Sequence, residues 1–227
     1  MEQGNQSHWI PLSDLMTGLM MIFMLIAASF MLRVERTTTL VVKEYQETKS
    51  DLARALQEEF EKNLKQWNAK ILGDMTITFE DPNVLFDTGS AIIKPSFKEI
   101  LNDFIPRYIK IITSERFKNS IKEIRIQGHT SKKWSSNTDD KTAYINNMRL
   151  SQNRAQSALE YILGLESTNH DQAWIMQNLT ATGFSSSKLI PKEDGSADDD
   201  RSQRVEFRIV TNADDKMKKI AEQIAKK

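Results

Sequence analysis

Residues 121–130 read IKEIRIQGHT, and residues 142–163 read TAYINNMRLSQNRAQSALEYIL. The first stretch mixes isoleucines with charged residues and stops at Gly128, a pattern typical of a strand that ends in a turn. The second carries apolar residues at helical spacing and predicts a long helix. Together they predict the centre of a domain that contains both strands and helices.

The segments on either side extend this pattern. Strands are predicted at residues 75–79, 84–86, 178–183 and 204–210, and a helix at 95–113 that Pro106 kinks or breaks. The order strand–strand–helix–strand–helix–strand–strand predicts an α+β domain over residues 74–212, with helices on one face of a mixed sheet. Residues 194–200 (DGSADDD) lack the ligand spacing of an EF-hand and predict a polar loop. Residues 213–227 predict a charged C-terminal helix.

Residues 33–73 predict a helical linker. Their apolar residues recur at steps of three and four, at Leu52, Leu56, Phe60, Leu64, Trp67 and Ile71. The stripe needs a partner, which is either the following domain or a second copy of the same helix. Gly73 and Asp74 are predicted to end this helix.

Residues 12–32 predict a single transmembrane helix. The 21-residue run has Asp14 as its only charge, and at 1.5 Å per residue it spans about 32 Å, enough for a bilayer core. A cleaved signal peptide is the alternative, favoured by the small residues 27–29. It is disfavoured because residues 1–11, the predicted short cytoplasmic end, contain no Lys or Arg.

Composition excludes several classes of protein. Thirty-one basic residues balance thirty-one acidic ones, which argues against a globally basic nucleic-acid binder, so no direct nucleic-acid partner is expected. The absence of cysteine excludes disulfides and thiolate metal sites, and the three histidines have no zinc-like spacing. We find no phosphate-binding loop, nucleophile elbow or carboxylate pair, so we expect neither an enzyme nor a cofactor.

Asp14 has two interpretations. Near the start of the apolar run, it is either an interfacial residue that reaches the lipid headgroups or an ion carrier. Desolvation favours the neutral form of a carboxyl group, so a small change in hydration could load or release a transported H⁺ or Na⁺. Ser13 and Thr17 lie close enough along the helix to donate hydrogen bonds to the ionised form.

Five ordered blocks in residues 74–212 resemble the OmpA-like (MotB-type) peptidoglycan-binding domain. They are Phe86–Ser90 (FDTGS), Ile126–Thr130 (IQGHT), Asn147–Ala155 (NMRLSQNRA), Thr182–Phe184 (TGF) and Arg204–Glu206 (RVE). The resemblance implies that Arg154 binds a peptide carboxylate. Its guanidinium group offers a planar pair of hydrogen-bond donors to such a carboxylate. It also implies wall contacts from Thr130, Ser131, Asn147, Leu150 and Arg204.

Two blocks depart from the family pattern. Ser131 stands where the family has an aspartate that helps hold the diaminopimelate of the stem peptide, and Gln203 stands in the late Asn-Arg-Arg motif. A neutral hydroxyl cannot supply charge for an ammonium group, although Asp139 and Asp140 could substitute. We therefore expect altered or weaker wall binding, and a fold kept as a dimerisation or docking module is the alternative.

The span, the linker and this domain together resemble MotB-like stator B subunits, in which Asp14 would accept the ion. The resemblance implies a homodimer inside a pentameric ring of MotA-like subunits, in lipid, with the C-terminal domain in the periplasm bound to peptidoglycan. Arg33 and Arg36 would instead place that domain in the cytoplasm by the positive-inside rule. We expect the family topology: a single-pass inner-membrane protein with a cytoplasmic N-terminus.

The branch of the family that serves Zorya anti-phage defence is favoured over the flagellar branch, because residues 1–11 lack the longer basic tail usual in flagellar members. That branch implies a MotA-like ZorA partner. A flagellar stator subunit and a passive wall tether remain open. A TolR- or ExbD-like transducer shares the pattern at residues 11–16 but lacks the later blocks.

Overall fold

The computed structural model describes residues 9–212 and residue 222. Five strands form a mixed sheet in the order β1-β2-β7-β3-β4, in which β3 and β4 are parallel and the other neighbouring pairs antiparallel; β5 and β6 form a separate two-stranded sheet. The strands are Ala69–Ile71 (β1), Thr76–Phe79 (β2), Ile121–Gly128 (β3), Leu179–Gly183 (β4), Ile190–Pro191 (β5), Ala197–Asp198 (β6) and Val205–Thr211 (β7).

Helices are interspersed with these strands along the chain. They are Trp9–Leu64 (α1), Pro82–Leu85 (α2), Pro95–Ile112 (α3), Asp140–Leu163 (α4), Gln172–Asn178 (α5) and Asp199–Ser202 (α6), with a 3₁₀ helix at Glu166–Asp171. Of the described residues, 9–46 belong to one unit and 47–212 form a second, compact one. The predicted α+β class with a mixed sheet is confirmed.

Aromatic side chains from the sheet and from α3 form the centre of the second unit. The ring centre of Phe104 of α3 lies 5.3 Å from that of Phe79 of β2 and 5.2 Å from that of Phe207 of β7, both in edge-to-face geometry. All three rings are completely buried. Because this face of the sheet carries the apolar side chains, the helices cover it.

The apolar stripe of the linker packs into this same core. Leu52, Leu56 and Phe60, near the end of α1, have no exposed surface. The ring of Phe60 lies 5.1 Å from that of Phe104. Each such side chain contributes roughly 1.5–3 kcal/mol by burial. The partner of the stripe is therefore the following domain of the same chain.

Arg107 of α3 fastens the end of α1 from outside the core. Its Nε donates to Glu59 Oε1 at 2.6 Å, and its Nη2 donates to the Glu59 carbonyl at 2.6 Å. The guanidinium carbon lies 4.9 Å from the centre of the Phe60 ring, an arrangement that is favourable for a cation.

The predicted helical linker over residues 33–73 is too long. Helix α1 ends at Leu64, and Asn68 adopts the left-handed conformation at φ 51°, which a helix cannot continue through. Residues 69–71 then pair antiparallel with β2. Gly73 and Asp74 form the turn of this hairpin, not the end of a helix.

The predicted return strand at residues 84–86 is also wrong. The segment forms the short helix α2, with Pro82 in its first turn and the Asp81 side chain accepting a hydrogen bond from the Asn83 amide. Phe86 makes only an isolated bridge to Ile93.

Pro106 does not break α3, which is helical from Pro95 to Ile112. The residues around it, Phe104, Ile105, Tyr108 and Ile109, are all buried. Tertiary packing on both sides of the proline therefore compensates for the one backbone hydrogen bond that proline removes.

Two predictions concern the ends of the chain. Residues 1–8 of the N-terminal segment and residues 213–227 of the charged C-terminal helix, apart from residue 222, lie outside the described residues.

Candidate functional site

A polar cleft of about 580 Å³ opens in the second unit, beside the segment that connects β2 to α3. Residues from α4 and α6 complete its wall. Its charged lining residues are Glu80, Asp81, Asp87, Lys94, Arg154 and Asp200. Carboxylates and cations in one cleft suit a ligand that carries charges of both signs.

Arg154, on α4, is the most buried cation in this lining, with 5% of its surface exposed. Its Nε donates to the Ser90 carbonyl at 2.9 Å, and its Nη2 donates to the Asp87 carbonyl at 3.1 Å. The guanidinium carbon lies 5.0 Å from the centre of the Phe86 ring. These contacts fix the direction of the guanidinium group.

The FDTGS block, residues 86–90, supplies these contacts to Arg154. Gly89 has φ +70°, which allows the chain to turn tightly. The Ser90 amide donates to the Asp87 carbonyl at 3.0 Å and closes the turn. The carbonyls of both residues thereby reach Arg154, while Phe86 supplies the aromatic face.

Arg154 lacks a counter-ion among the residues that the structure describes. Both of its hydrogen bonds go to neutral carbonyls, and its Nη1 has no acceptor within residues 9–212. Burial lowers the pKa of Arg154 to about 10. A buried cation without a carboxylate is costly, so binding of an anion in the cleft is favoured.

Helix α4 reaches its position because it lies directly on two glycines of the sheet. A Cβ atom on Gly128 would lie 2.1 Å from the Ser151 carbonyl oxygen, and one on Gly183 would lie 2.5 Å from the Gln152 nitrogen. The Gln152 side chain accepts a hydrogen bond from the Gly183 amide at 2.7 Å. Only glycine permits this approach of helix to sheet.

The inward face of α4 is partly polar. Asn147, Ser151 and Arg154 are buried, whereas Ile145, an apolar residue that the sequence pattern would place inward, is exposed. Asn147 Nδ2 donates to the Lys133 carbonyl at 3.1 Å and holds the loop that follows β3. Asn147 therefore positions a loop and does not line the cleft.

The loop after β3 holds two further predicted binding residues. Thr130 and Ser131 are 3% and 8% exposed, and neither lines the cleft. Leu150 is half-buried on α4 and lies outside the lining as well. The sequence analysis predicted that all three bind the wall together with Arg154. Of these four residues, only Arg154 lines the cleft.

Asp139 and Asp140, the candidate substitutes for the family aspartate, are engaged elsewhere. Asp139 caps α4 by accepting hydrogen bonds from the amides of Lys141 and Thr142. Asp140 Oδ2 lies 3.4 Å from Lys132 Nζ. Neither carboxylate lines the cleft.

Arg204 belongs to a separate buried group. Its Nε donates to Glu206 Oε1 at 2.6 Å, and its Nη1 donates to the carbonyls of Lys188 and Ser202. The neighbouring Gln203, which departs from the family pattern, lines the cleft, whereas Arg204 does not.

His129 completes this group. Its ring stacks on Phe184 at 5.1 Å, and its Nε2 lies 3.3 Å from Glu206 Oε2 without forming a well-aligned hydrogen bond. Burial lowers the pKa of His129 below its usual value. Burial by itself would raise the pKa of Glu206, but His129 and Arg204 outweigh it and hold that pKa at about 2.

Glu206→Gln tests the contribution of this group to stability. Since the pKa of Glu206 is depressed in the folded state, its stabilisation is present above pH 4.5 and is lost as pH falls toward 2. We expect the variant to lose about 3 kcal/mol of unfolding free energy at pH 7 and to show a flatter pH dependence below pH 4.5. Urea unfolding followed by tryptophan fluorescence measures both. Glu166→Gln, at an exposed position, is the control, and equal stability of the two variants would contradict this account.

The predicted ion-binding residues lie in the first unit. Residues Ser13–Arg36 of α1 are long and apolar enough to cross a membrane, and none of them is buried within the chain. Thr17 Oγ1 donates to the Ser13 carbonyl at 2.8 Å and not to Asp14. No residue that the structure describes in this chain is bonded to the Asp14 carboxylate, so the predicted hydrogen bonds to it are not formed here.

Sequence reasoning did not find Asp200 or Lys94 as cleft residues. Asp200 was part of a stretch interpreted as a polar loop, and Lys94 belonged to no motif. No local signal marks either one, because residues that are 106 positions apart meet only through the fold.

Comparisons with known proteins agree with this architecture. Residues 85–204 match the model of the OmpA family. The chain is 39% identical over 226 residues to the Zorya protein ZorB of Escherichia coli, covering 98% of this chain and 95% of that protein.

Solved structures match parts of this chain at low identity. A MotB-like protein from Desulfovibrio vulgaris matches with a TM-score of 0.50 and 22% identity, over 74% of this chain and 93% of that one. The periplasmic domain of Helicobacter pylori MotB matches with a TM-score of 0.43 and 21% identity, over 66% of this chain and 83% of that one. The contacts of Arg154 with the FDTGS block and the two close-packed glycines agree with these matches. The chain belongs to the OmpA family and, within it, to the family of the Zorya protein ZorB, which it matches along nearly its whole length.

Proposed function

We propose that this chain is the B subunit of an ion-driven, stator-type motor that is anchored to peptidoglycan and acts in anti-phage defence. The observation that carries the anchoring is Arg154, a buried cation with a free donor and no carboxylate partner in the described chain. Support for the defence role comes from the relative named Zorya protein ZorB, which matches along almost the whole chain. One apolar helix fits a single-pass inner-membrane protein.

The ligand of the cleft is a carboxylate of the peptidoglycan stem peptide. Arg154 Nη1 faces no acceptor of the described chain, so a ligand oxygen there would gain a charge-assisted hydrogen bond. The two carbonyls that hold Nε and Nη2 prevent the guanidinium from turning away. A preorganised donor loses little conformational entropy on binding.

Asp14 is the ion-accepting group of the motor. It is the only charged residue in the run 12–32, and the surrounding helix exposes apolar side chains that favour lipid or partner helices. A carboxyl group that alternates between neutral and charged states couples to the membrane potential, since one charge crossing 100 mV changes the energy by about 2.3 kcal/mol. The transported ion is H⁺ or Na⁺.

The partners follow from the stator mechanism. Two copies of this chain sit inside a ring of five MotA-like ZorA subunits, and the C-terminal domain lies in the periplasm, where its ligand is found. This topology opposes the positive-inside rule at Arg33 and Arg36. Fixing the two copies to the wall allows ion passage at Asp14 to drive rotation of the ring around them.

Retention of the purified full chain on peptidoglycan sacculi tests the anchoring. We expect Arg154→Ala to weaken retention at least tenfold, because it removes a charged donor from the cleft. Arg154→Lys keeps the charge but loses the planar pair of donors, and we expect an intermediate loss.

Arg149→Ala is the matched control. Arg149 lies on the same helix, is exposed and lines no part of the cleft. Because both substitutions replace arginine by alanine, they change the net charge of the protein equally. Retention of Arg154→Ala equal to that of Arg149→Ala would refute the assignment of the cleft.

A further inference from the structure

Trp134 exposes a large aromatic ring on the loop that joins β3 to α4. The residue is 43% exposed, whereas Trp67 is buried in the core and Trp174 is half-buried. An exposed indole leaves apolar surface in water, and a ligand that covers this surface gains free energy. Trp134 therefore marks a candidate binding surface outside the lining of the Arg154 cleft.

Hydrogen bonds on both sides of Trp134 hold its loop in one conformation. Asn147 Nδ2 donates to the Lys133 carbonyl at 3.1 Å, immediately before the tryptophan. Immediately after it, Ser135 Oγ lies 2.5 Å from Thr138 Oγ1, and the Thr138 amide donates to the Ser135 carbonyl. Because the loop is already ordered, little conformational entropy is lost when a ligand binds.

Two contacts place this loop at the rim of the cleft. Lys133 Nζ lies 2.7 Å from Asp199 Oδ2 on α6, the helix whose next residue, Asp200, lines the cleft. Asn147, which holds the Lys133 carbonyl, lies seven residues before Arg154 on the same buried face of α4. Seven residues make two helical turns, so the backbone beside the tryptophan is held about 10 Å from Arg154 along the helix axis.

We infer that the indole of Trp134 stacks on an N-acetylated sugar of the glycan strand, while the stem peptide of that sugar binds at Arg154. This deepens the proposed wall binding and rests on it. Three extended residues span about 10 Å, so a peptide whose third residue reaches Arg154 brings its sugar to the tryptophan. The C–H groups on the flat face of a pyranose ring suit the negative face of an aromatic ring.

The charges around the indole favour an uncharged sugar over an anionic lipid surface. Lys133 is paired with Asp199, and Lys132 Nζ lies 3.4 Å from Asp140 Oδ2. Because each lysine has a carboxylate beside it, the loop carries no excess of positive charge that would attract anionic headgroups. The hydroxyl and amide side chains of residues 135–138 (SSNT) suit the hydroxyl and acetamido groups of a sugar.

Two soluble ligands separate the sugar contact from the peptide contact. The first is N-acetylmuramoyl–L-Ala–γ-D-Glu–meso-diaminopimelate, and the second is the same tripeptide without the sugar. Calorimetry on the full chain in detergent measures both affinities. We expect the unmodified chain to bind the first ligand about tenfold more tightly than the second, because only the first covers the indole.

Substitutions at Trp134 assign this difference to the indole. Trp134→Ala should bind the two ligands equally and keep the affinity of the unmodified chain for the tripeptide, which also shows that the domain is folded. Trp134→Phe keeps an aromatic face and should retain part of the difference. Met176→Ala is the matched control, because it removes another exposed apolar side chain, 70% exposed on α5, and should leave both affinities unchanged.

The possible outcomes distinguish this inference from the proposed function. Equal affinity of the unmodified chain for the two ligands overturns the sugar contact and leaves anchoring through Arg154 intact. The same conclusion follows if Trp134→Ala keeps the full preference for the first ligand, or loses affinity for both ligands equally. Failure of the unmodified chain to bind either ligand overturns both proposals.

Discussion

Cells that carry Asp14→Asn are expected to lose phage protection completely, while the protein still inserts into the membrane. Asparagine has nearly the same shape as aspartate but cannot take up and release a cation. The proposed ion passage therefore stops, although the apolar surface of Ser13–Arg36 is unchanged. Plaque counts on cells with the complete defence system measure protection.

Assembly and ion flow are measured alongside protection. We expect the variant to co-purify with the MotA-like partner at the level of the unmodified chain, and to abolish ion uptake in vesicles energised by a membrane potential. Glu35→Gln removes a carboxylate from the other end of the same span and is expected to keep protection. Full protection by Asp14→Asn would instead support a passive wall tether.

Gly128→Ala is expected to unfold the C-terminal domain under physiological conditions. The new methyl carbon would lie 2.1 Å from the Ser151 carbonyl oxygen and 3.0 Å from the Ser151 carbonyl carbon, both in the backbone of α4. A backbone cannot rotate out of the way as a flexible side chain can, so α4 must move off the sheet. This movement also breaks the 2.9 Å hydrogen bond from the Ser185 amide to Ser151 Oγ.

The expected cost is about 4 kcal/mol or more, a large part of the 5–15 kcal/mol that stabilises a typical domain. Urea unfolding followed by tryptophan fluorescence measures it, because Trp67 is buried in the core. Gly164→Ala is the matched control, since its nearest contacts would be at 3.5 Å and its φ of −85° suits alanine. An unfolding midpoint for Gly128→Ala within experimental error of the control would show that α4 does not pack as described.

Most of the elements were predictable from local sequence. The strands near residues 76–79, 121–128, 179–183 and 205–211 and the long helix α4 lie within a few residues of their predicted positions. In these segments apolar residues recur with a clear period along the sequence, because one face of each strand or helix is buried.

The errors arise where tertiary contacts overrule a local pattern. Trp67 and Ile71 continued the helical stripe in sequence, yet the helix has already ended there: the chain turns at Asn68, and residues 69–71 add a strand to the sheet. Pro106 is tolerated because the helix around it is held in the core.

The candidate site was predictable only in part. Arg154 was identified through its motif, and its cleft contains it. Arg204 belongs to another motif of the same family, but the structure buries it against Glu206 outside the cleft. Motif membership indicates that a residue matters to the fold or to the ligand, and it does not distinguish the two.

The sequence by itself determined the apolar span with its single carboxylate, the α+β class and the family, because each depends on the order and spacing of residues along the chain. Only the tertiary structure decided that the linker stripe packs on its own domain, that Arg154 is buried with no counter-ion from residues 9–212, and that Asp200 shares its cleft. The physical reason is that burial and contact depend on distance in space: Arg154 reaches the cleft because α4 lies directly on two glycines of the sheet, which have no side chain to hold it away.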